Sequence, residues 1–174
     1  MGNSNSIYKV EKFADFDADH TFDCGQCFRW DREEDGSYTG VAFGRAVNIK
    51  KEDGGLVIDN CTEEDYKNIW ADYLDAQRDY AAVKTLLSAH DDVMKRAVEY
   101  GSGIRLLHQD PWETLISFIV SQNSNIPRIK KCVESLCSNF GESLGEYRGQ
   151  ERFAFPTAER LAGLTQNDLS VCRL

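Results

Sequence analysis

This sequence of 174 residues contains little proline, no long apolar run and fewer basic than acidic residues. Only 3 prolines occur and 41% of the residues are hydrophobic, which excludes linker-rich, collagen-like and disordered proteins. No stretch approaches the roughly 18 uncharged apolar residues of a membrane helix, and no secretory signal follows the N-terminus. We therefore expect a globular protein with no membrane partner, located in the cytoplasm and associated with the nucleoid if the source is bacterial.

The deficit of positive charge is confined to one part of the sequence. Lys and Arg number 20 against 29 Asp and Glu, and the net charge of −9 argues by itself against binding to nucleic acid. Residues 1–100 contain 12 basic and 21 acidic residues, whereas residues 101–174 contain 8 of each. The acidity therefore says little about the second part, and the shift predicts a domain boundary at about residue 100.

The 6 cysteines have no signal segment to accompany them, which favours free thiols over a disulfide framework. Cys24 and Cys27 form a C-x-x-C pair, which leaves a redox or metal-binding domain as an alternative. The pair leads into a strand-like segment instead of a helix, and no second C-x-x-C or paired histidine accompanies it. We expect no metal and no cofactor.

The first six residues, Met-Gly-Asn-Ser-Asn-Ser, match a myristoylation pattern. A polar disordered tail over residues 1–6 explains them equally well. We favour the tail, because such short patterns often match by accident.

Residues 7–100 combine strand and helix patterns. Between residues 7 and 59, short apolar runs alternate with turn signals such as Asp35-Gly36 and Asp53-Gly54-Gly55, which predicts a meander of about five strands. Thr62 then begins an amphipathic helix, and two further helices are predicted over residues 80–89 and 91–100.

Residues 101–174 are predicted to be helical. Asp110 and Glu113 form a capping-box pattern before a helix that is apolar on nearly all sides, which predicts a central core helix. A second helix begins near Ile126 and ends at Gly141, with Lys130 and Lys131 on its outer side. A loop, a short helix from Thr157 to Gly163 and a final helix from residue 166 follow. Because the sequence stops within that final helix pattern, we expect a truncated chain.

The segment between the two apolar helices, Ser121-Gln122-Asn123-Ser124-Asn125, is entirely polar, and Arg128 follows within one helical turn. Amide and guanidinium groups read base edges and phosphates, and a helix N-terminus favours anions. A solvated loop whose asparagines cap helices is the alternative interpretation.

Three segments in this order resemble the 8-oxoguanine DNA glycosylases: Phe22–Trp30 (Phe-Asp-Cys-Gly-Gln-Cys-Phe-Arg-Trp), Gly103–Glu113 and Ser117–Ile129. The resemblance extends from about residue 7 to residue 174. It implies an α+β fold: a twisted antiparallel sheet with flanking helices over residues 7–100, similar to half of a TATA-binding protein. Residues 101–174 would then form an incomplete all-α glycosylase domain that lacks the helix-hairpin-helix.

The resemblance also implies roles for three residues. Gly25 matches the base-pocket glycine whose carbonyl accepts the N7 hydrogen that only 8-oxoguanine carries. Asn123 matches the asparagine that fills the space of the extruded base, and it contacts the estranged cytosine together with the arginine matched by Arg128. No role is transferred to Ser124.

The implied function is base-excision repair, in which the enzyme extrudes the oxidised guanine from duplex DNA, cleaves its glycosidic bond and nicks the strand through a Schiff base. The family's nucleophilic lysine and its partner aspartate would lie beyond residue 174, so no catalytic residue is assigned. We expect a recognition half that binds DNA containing 8-oxoguanine opposite cytosine weakly and is inactive alone as glycosylase or lyase. A non-catalytic interaction domain is the further alternative.

Overall fold

The computed structural model describes residues 6–172, so the predicted tail and the myristoylation pattern, apart from Ser6, lie outside the described residues. A five-stranded sheet, a two-stranded sheet and a series of helices make up the fold, which confirms the α+β class. The strands of the larger sheet are β1 Ile7–Val10, β2 Trp30–Arg32, β3 Tyr38–Ala42, β4 Arg45–Glu52 and β5 Gly55–Asp59.

The strand order of the larger sheet is β1-β5-β4-β3-β2. Strands β2 to β5 follow the predicted meander, but the prediction is wrong for β1, which pairs antiparallel with β5 and sets Tyr8 opposite Ile58. The Tyr8 ring stacks on Tyr66, with 4.9 Å between the ring centroids. Strand β1 thus covers the hydrogen-bonding edge that β5 would otherwise expose.

In the first hundred residues, the helices after residue 60 follow the predicted pattern with one local change, but the short helix at Ala18–Phe22 was not predicted. Their bounds are α1 Ala18–Phe22, α2 Glu63–Asp65, a π-helical segment Tyr66–Trp70, α3 Ala71–Tyr73, α4 Tyr80–Ser88 and α5 Asp92–Tyr100. Thr62 and Asp65 form a complete capping box before α2. The periodicity of apolar residues identified this helical region, although it did not indicate the wider π-helical turn.

The remaining helices are α6 Pro111–Ser121, α7 Ile126–Phe140, α8 Ala158–Ala162 and α9 Gln166–Leu169, followed by a 3-10 helix Ser170–Cys172. The segment predicted as a loop after Gly141 forms a hairpin of β6 Ser143–Tyr147 and β7 Gln150–Phe153. Arg148 and Gly149 form its turn with φ values of 52° and 72°. The prediction missed the hairpin because its strands contain few apolar residues.

Helix α6 is not the buried core helix that its composition predicts. Ser117 is buried, while Leu115, Phe118 and Ile119 are 51%, 63% and 57% exposed. Helix α7 packs against α6. The exposed apolar side chains of α6 have no covering element within residues 6–172, so composition alone gave the wrong burial.

Helix α7 buries the predicted apolar face. Ile129, Val133 and Cys137 form a cluster against which four partly buried residues pack: Phe28, Val120, Phe153 and Phe155. No helix within the described residues is long and apolar enough to cross a membrane.

Two compact units divide the chain. The first contains the residues up to Gln26, together with 32–38 and 48–108, and the second contains 27–31, 39–47 and the residues from Gln109 onward. This grouping keeps Gly101–His108 with the first unit. Each unit consists of several chain segments, whereas the boundary predicted at about residue 100 separates two continuous stretches of sequence, so that boundary stays a prediction.

Candidate nucleic-acid interface

Gly25 lies in the loop that follows α1, within the first unit. Its φ is 87°, a left-handed conformation that side-chain-bearing residues adopt only with strain. It is half-buried. The backbone conformation therefore favours glycine at the position that the resemblance assigns to the base pocket.

Gln26, the next residue, fastens this loop to two other backbone segments. Its Nε2 donates to the carbonyl oxygens of Thr21 and Arg105, both at 2.8 Å. Its Oε1 accepts from the backbone N–H of Leu107 at 3.0 Å. Gln26 stands inside the segment that resembles the glycosylases, but no local pattern in the sequence indicates its role.

Arg105 anchors the segment that receives these bonds. Its guanidinium lies over the rings of Phe13 and Tyr80, at 4.4 and 4.5 Å from the centroids. It donates from Nη1 to the carbonyl of Asp75 and from Nη2 to that of Ala14, each at 2.7 Å. Burial lowers the pKa of Arg105 below its ordinary value. The side chain of Arg105 thus holds in place the backbone segment to which Gln26 is hydrogen-bonded.

Asn123 lies in the turn between α6 and α7, in the second unit. Its φ is 51°, and its side chain is exposed. Both preceding side chains are tied down, because Ser121 Oγ and Gln122 Nε2 donate to the carbonyl of Phe118 at 2.7 and 3.0 Å. Among residues 6–172 the amide of Asn123 has no hydrogen-bond partner, so the turn presents an unused amide to the solvent.

Arg128 lies close by, on the first turn of α7. Asn125 caps this helix by accepting from the backbone N–H of Arg128 at 3.1 Å, which confirms the capping role considered for this asparagine. One cavity of about 400 Å³ is lined by Ile119, Val120, Gln122, Asn123, Ser124, Arg128 and Cys132. The structure therefore brings Asn123 and Arg128 together at a helix N-terminus, where the helix dipole favours anions. Gly25 belongs to the other unit.

The predicted capping box of α6 is only half present. Asp110 Oδ1 accepts from the backbone N–H of Glu113 at 2.9 Å, but the Glu113 carboxylate lies 3.6 Å from Arg29 Nη1. Burial raises the pKa of Glu113, and the positive charge of Arg29 opposes that rise. Arg29 also donates to the carbonyl of Phe153. Because Arg29 is far from Glu113 in the sequence, no local sequence pattern indicates this contact.

Lys130 does not point outward as predicted. Its Nζ donates to the carbonyl of Trp30 at 2.6 Å and lies 3.3 Å from Asp31 Oδ1. Lys131 is exposed, as predicted. A helical wheel gives the direction of the Cα–Cβ bond, whereas a long lysine stem can bend back to a neighbouring strand.

The C-x-x-C pair places one thiol in solvent and one in the interior. Cys24 is exposed and Cys27 is buried, and all six cysteines are free. Among the described residues, no group of three His, Cys, Asp or Glu side chains is placed to hold a metal ion. Disulfide exchange needs an accessible thiolate, so the burial of Cys27 argues against a redox function for this pair.

Comparison with known proteins identifies the family. The family model for the 8-oxoguanine DNA glycosylase N-terminal domain matches residues 9–115. The chain belongs to the 8-oxoguanine DNA glycosylase family, and the resemblance predicted from the three sequence segments is confirmed.

Individual relatives agree with this assignment. The N-glycosylase/DNA lyase OGG1 of Arabidopsis thaliana is 30% identical over 153 residues, which cover 85% of this chain and 42% of that protein. The structure of MBOgg1 in complex with a low affinity DNA ligand has a TM-score of 0.92 and 47% identity, over 99% of this chain and 61% of that one.

A third relative has been solved with damaged DNA. The Clostridium acetobutylicum 8-oxoguanine glycosylase/lyase, in complex with double-stranded DNA containing cytosine opposite 8-oxoguanine, has a TM-score of 0.88 and 41% identity. The match covers 98% of this chain and 60% of that one. The chain thus spans less than two thirds of the length of these relatives.

Proposed function

We propose that this chain recognises 8-oxoguanine opposite cytosine in duplex DNA as the lesion-reading part of a glycosylase of base-excision repair. The observation that carries the proposal is the exposed amide of Asn123, held on a left-handed turn beside Arg128. An amide and a guanidinium together match the donor and acceptor pattern of an unpaired base edge. The DNA-bound relatives support this assignment.

Gly25 supplies the lesion specificity in this proposal. In 8-oxoguanine N7 carries a hydrogen, whereas in guanine N7 is an acceptor. A carbonyl oxygen directed at N7 therefore attracts the oxidised base and repels the normal one. Glycine suits this position, because the φ of 87° lies in a region that residues with side chains rarely adopt, and the absence of a side chain lets a base approach the carbonyl closely.

Asn123 and Arg128 act on the opposite strand. Extrusion of the damaged base leaves a gap in the stack and an unpaired cytosine, at an unstacking cost of a few kcal/mol. Asn123 fills the gap, and Arg128 donates to the cytosine. These contacts offset part of the cost of extrusion, and they also set the preference for cytosine.

The nucleophile of the relatives' lyase reaction is, in this proposal, not among these 174 residues. A nucleophilic lysine must be unprotonated, and a nearby carboxylate opposes proton loss. The Glu63 carboxylate raises the pKa of Lys67, whose Nζ lies 2.6 Å from Glu63 Oε1. The Nζ of Lys130 donates to the carbonyl of Trp30 at 2.6 Å, so it is held against that strand and is not presented to a sugar.

Borohydride trapping of the 174-residue chain on a duplex containing 8-oxoguanine opposite cytosine tests this function. We expect the duplex to shift on a native gel and no covalent product to survive on a denaturing gel. The Clostridium acetobutylicum glycosylase/lyase serves as the positive control for trapping. Failure to shift the duplex would overturn the recognition function, and a trapped adduct on any lysine would overturn the assignment of the nucleophile.

A further inference from the structure

We infer that Gln26 is the positioning residue for lesion selectivity: its side-chain amide fixes the orientation of the Gly25 carbonyl. The inference rests on the proposed function, since that function makes this carbonyl the reader of N7. Gln26 is not among the residues to which the resemblance assigns a role.

The carbonyl oxygen of Gly25 lies in the rigid peptide plane that ends at the Cα of Gln26. Glycine restricts its own backbone less than any other residue, so Gly25 cannot hold this plane at a fixed angle by itself. The restraint must come from the residues at either side of Gly25.

Cys24, on one side, offers a weak restraint. Its Sγ lies 3.5 Å from the carbonyl of Thr21, and the residue is exposed. Gln26, on the other side, makes three hydrogen bonds of 2.8 to 3.0 Å to backbone groups of Thr21, Arg105 and Leu107. Both N–H groups and the oxygen of its amide are used, so the side chain allows one orientation of the Gln26 Cα.

The groups that Gln26 binds are themselves fixed. Thr21 is buried, and its Oγ1 donates to the carbonyl of Gly103 at 3.0 Å while accepting from the N–H of Arg105 at 3.3 Å. The stacked guanidinium of Arg105 holds the same segment from within the first unit. Gln26 therefore ties the Gly25 peptide plane to a rigid frame.

A displaced carbonyl weakens binding to 8-oxoguanine, which donates to it, and relieves the repulsion felt by guanine. Loss of the Gln26 contacts should thus lower selectivity, whereas a general loss of stability would lower both affinities alike. The ratio of the two affinities distinguishes a positioning role from a merely structural one.

The test measures that ratio for Gln26→Leu, together with amide hydrogen exchange of the unbound protein. We expect the ratio of affinities for duplexes with 8-oxoguanine and with guanine to fall about tenfold, the value of one hydrogen bond. Exchange at Leu107 and at residues 24–27 should become faster. Gln26→Met removes the same three hydrogen bonds but keeps the length of the side chain, so it gives a similar fall and serves as a second variant if Gln26→Leu does not fold.

Ser37→Ala is the matched control. The buried Ser37 hydroxyl accepts from Asn48 Nδ2 at 2.8 Å and donates to Asp35, so its removal loosens the first unit without touching any group that Gln26 binds. In this control variant, the ratio of affinities for duplexes with 8-oxoguanine and with guanine should equal that of the unaltered chain. An unchanged ratio in both Gln26 variants would overturn the inference alone, and a ratio of one in the unaltered chain would overturn the proposed function as well.

Discussion

Arg105→Met is expected to lower the free energy of unfolding by about 4 kcal/mol, measured by urea denaturation followed by far-UV circular dichroism. Methionine fills much of the volume but leaves the carbonyls of Asp75 and Ala14 without their donors, at about 1 to 3 kcal/mol each. It also removes the cation–π contacts with Phe13 and Tyr80, each of which contributes about 0.5 to 2 kcal/mol.

Two further variants control this measurement. Arg96→Met changes an exposed arginine of α5 and should cost less than about 0.5 kcal/mol. Arg105→Lys keeps the charge but loses the planar fork, so an intermediate loss is expected. If Arg105→Met unfolds at the same urea concentration as the unaltered chain, Arg105 does not anchor the segment that Gln26 binds.

Asn123→Ala combined with Arg128→Ala is expected to weaken binding to the duplex with 8-oxoguanine opposite cytosine about 100-fold. Each side chain contributes about tenfold, within the range of 1 to 3 kcal/mol for a specific contact to a base edge. Neither substitution removes a buried group, since both residues are exposed, so thermal stability should change little. Fluorescence anisotropy with a labelled duplex gives the affinities.

The control for this pair uses the same residue types elsewhere in the second unit. Asn139 lies near the end of α7 and Arg160 lies in α8, and neither lines the cavity beside Asn123. Asn139→Ala combined with Arg160→Ala should bind within about twofold of the unaltered chain, because these side chains make no base contact in the proposed complex. Unchanged affinity after replacement of Asn123 and Arg128 would favour the non-catalytic interaction domain considered from the sequence.

The sequence predicted most elements because their signals are local. Thr62 caps the helix that it was predicted to begin, and the turn at Asp53-Gly54 lies between two paired strands. The failures concern long-range packing. Helix α6 is as apolar as a core helix, yet Phe118 is 63% exposed, because burial depends on which elements surround a helix and not on its composition.

The candidate site was only partly accessible to sequence reasoning. The polar turn with Asn123 and Arg128 stood out because five polar residues interrupt two apolar helices. Gln26 did not, because its partners Arg105 and Leu107 are about 80 positions away in the sequence. Glu113 was assigned to a helix cap, whereas its carboxylate lies beside Arg29. Side-chain contacts between distant segments are not encoded in any local pattern.

The most direct test of lesion recognition compares two duplexes that differ only at one base, 8-oxoguanine or guanine, opposite the same cytosine. Equilibrium anisotropy at fixed salt gives the two dissociation constants for the 174-residue chain. We predict at least about tenfold tighter binding to the oxidised duplex, since one hydrogen bond replaces a repulsive contact at N7. Equal dissociation constants would contradict lesion recognition by this chain.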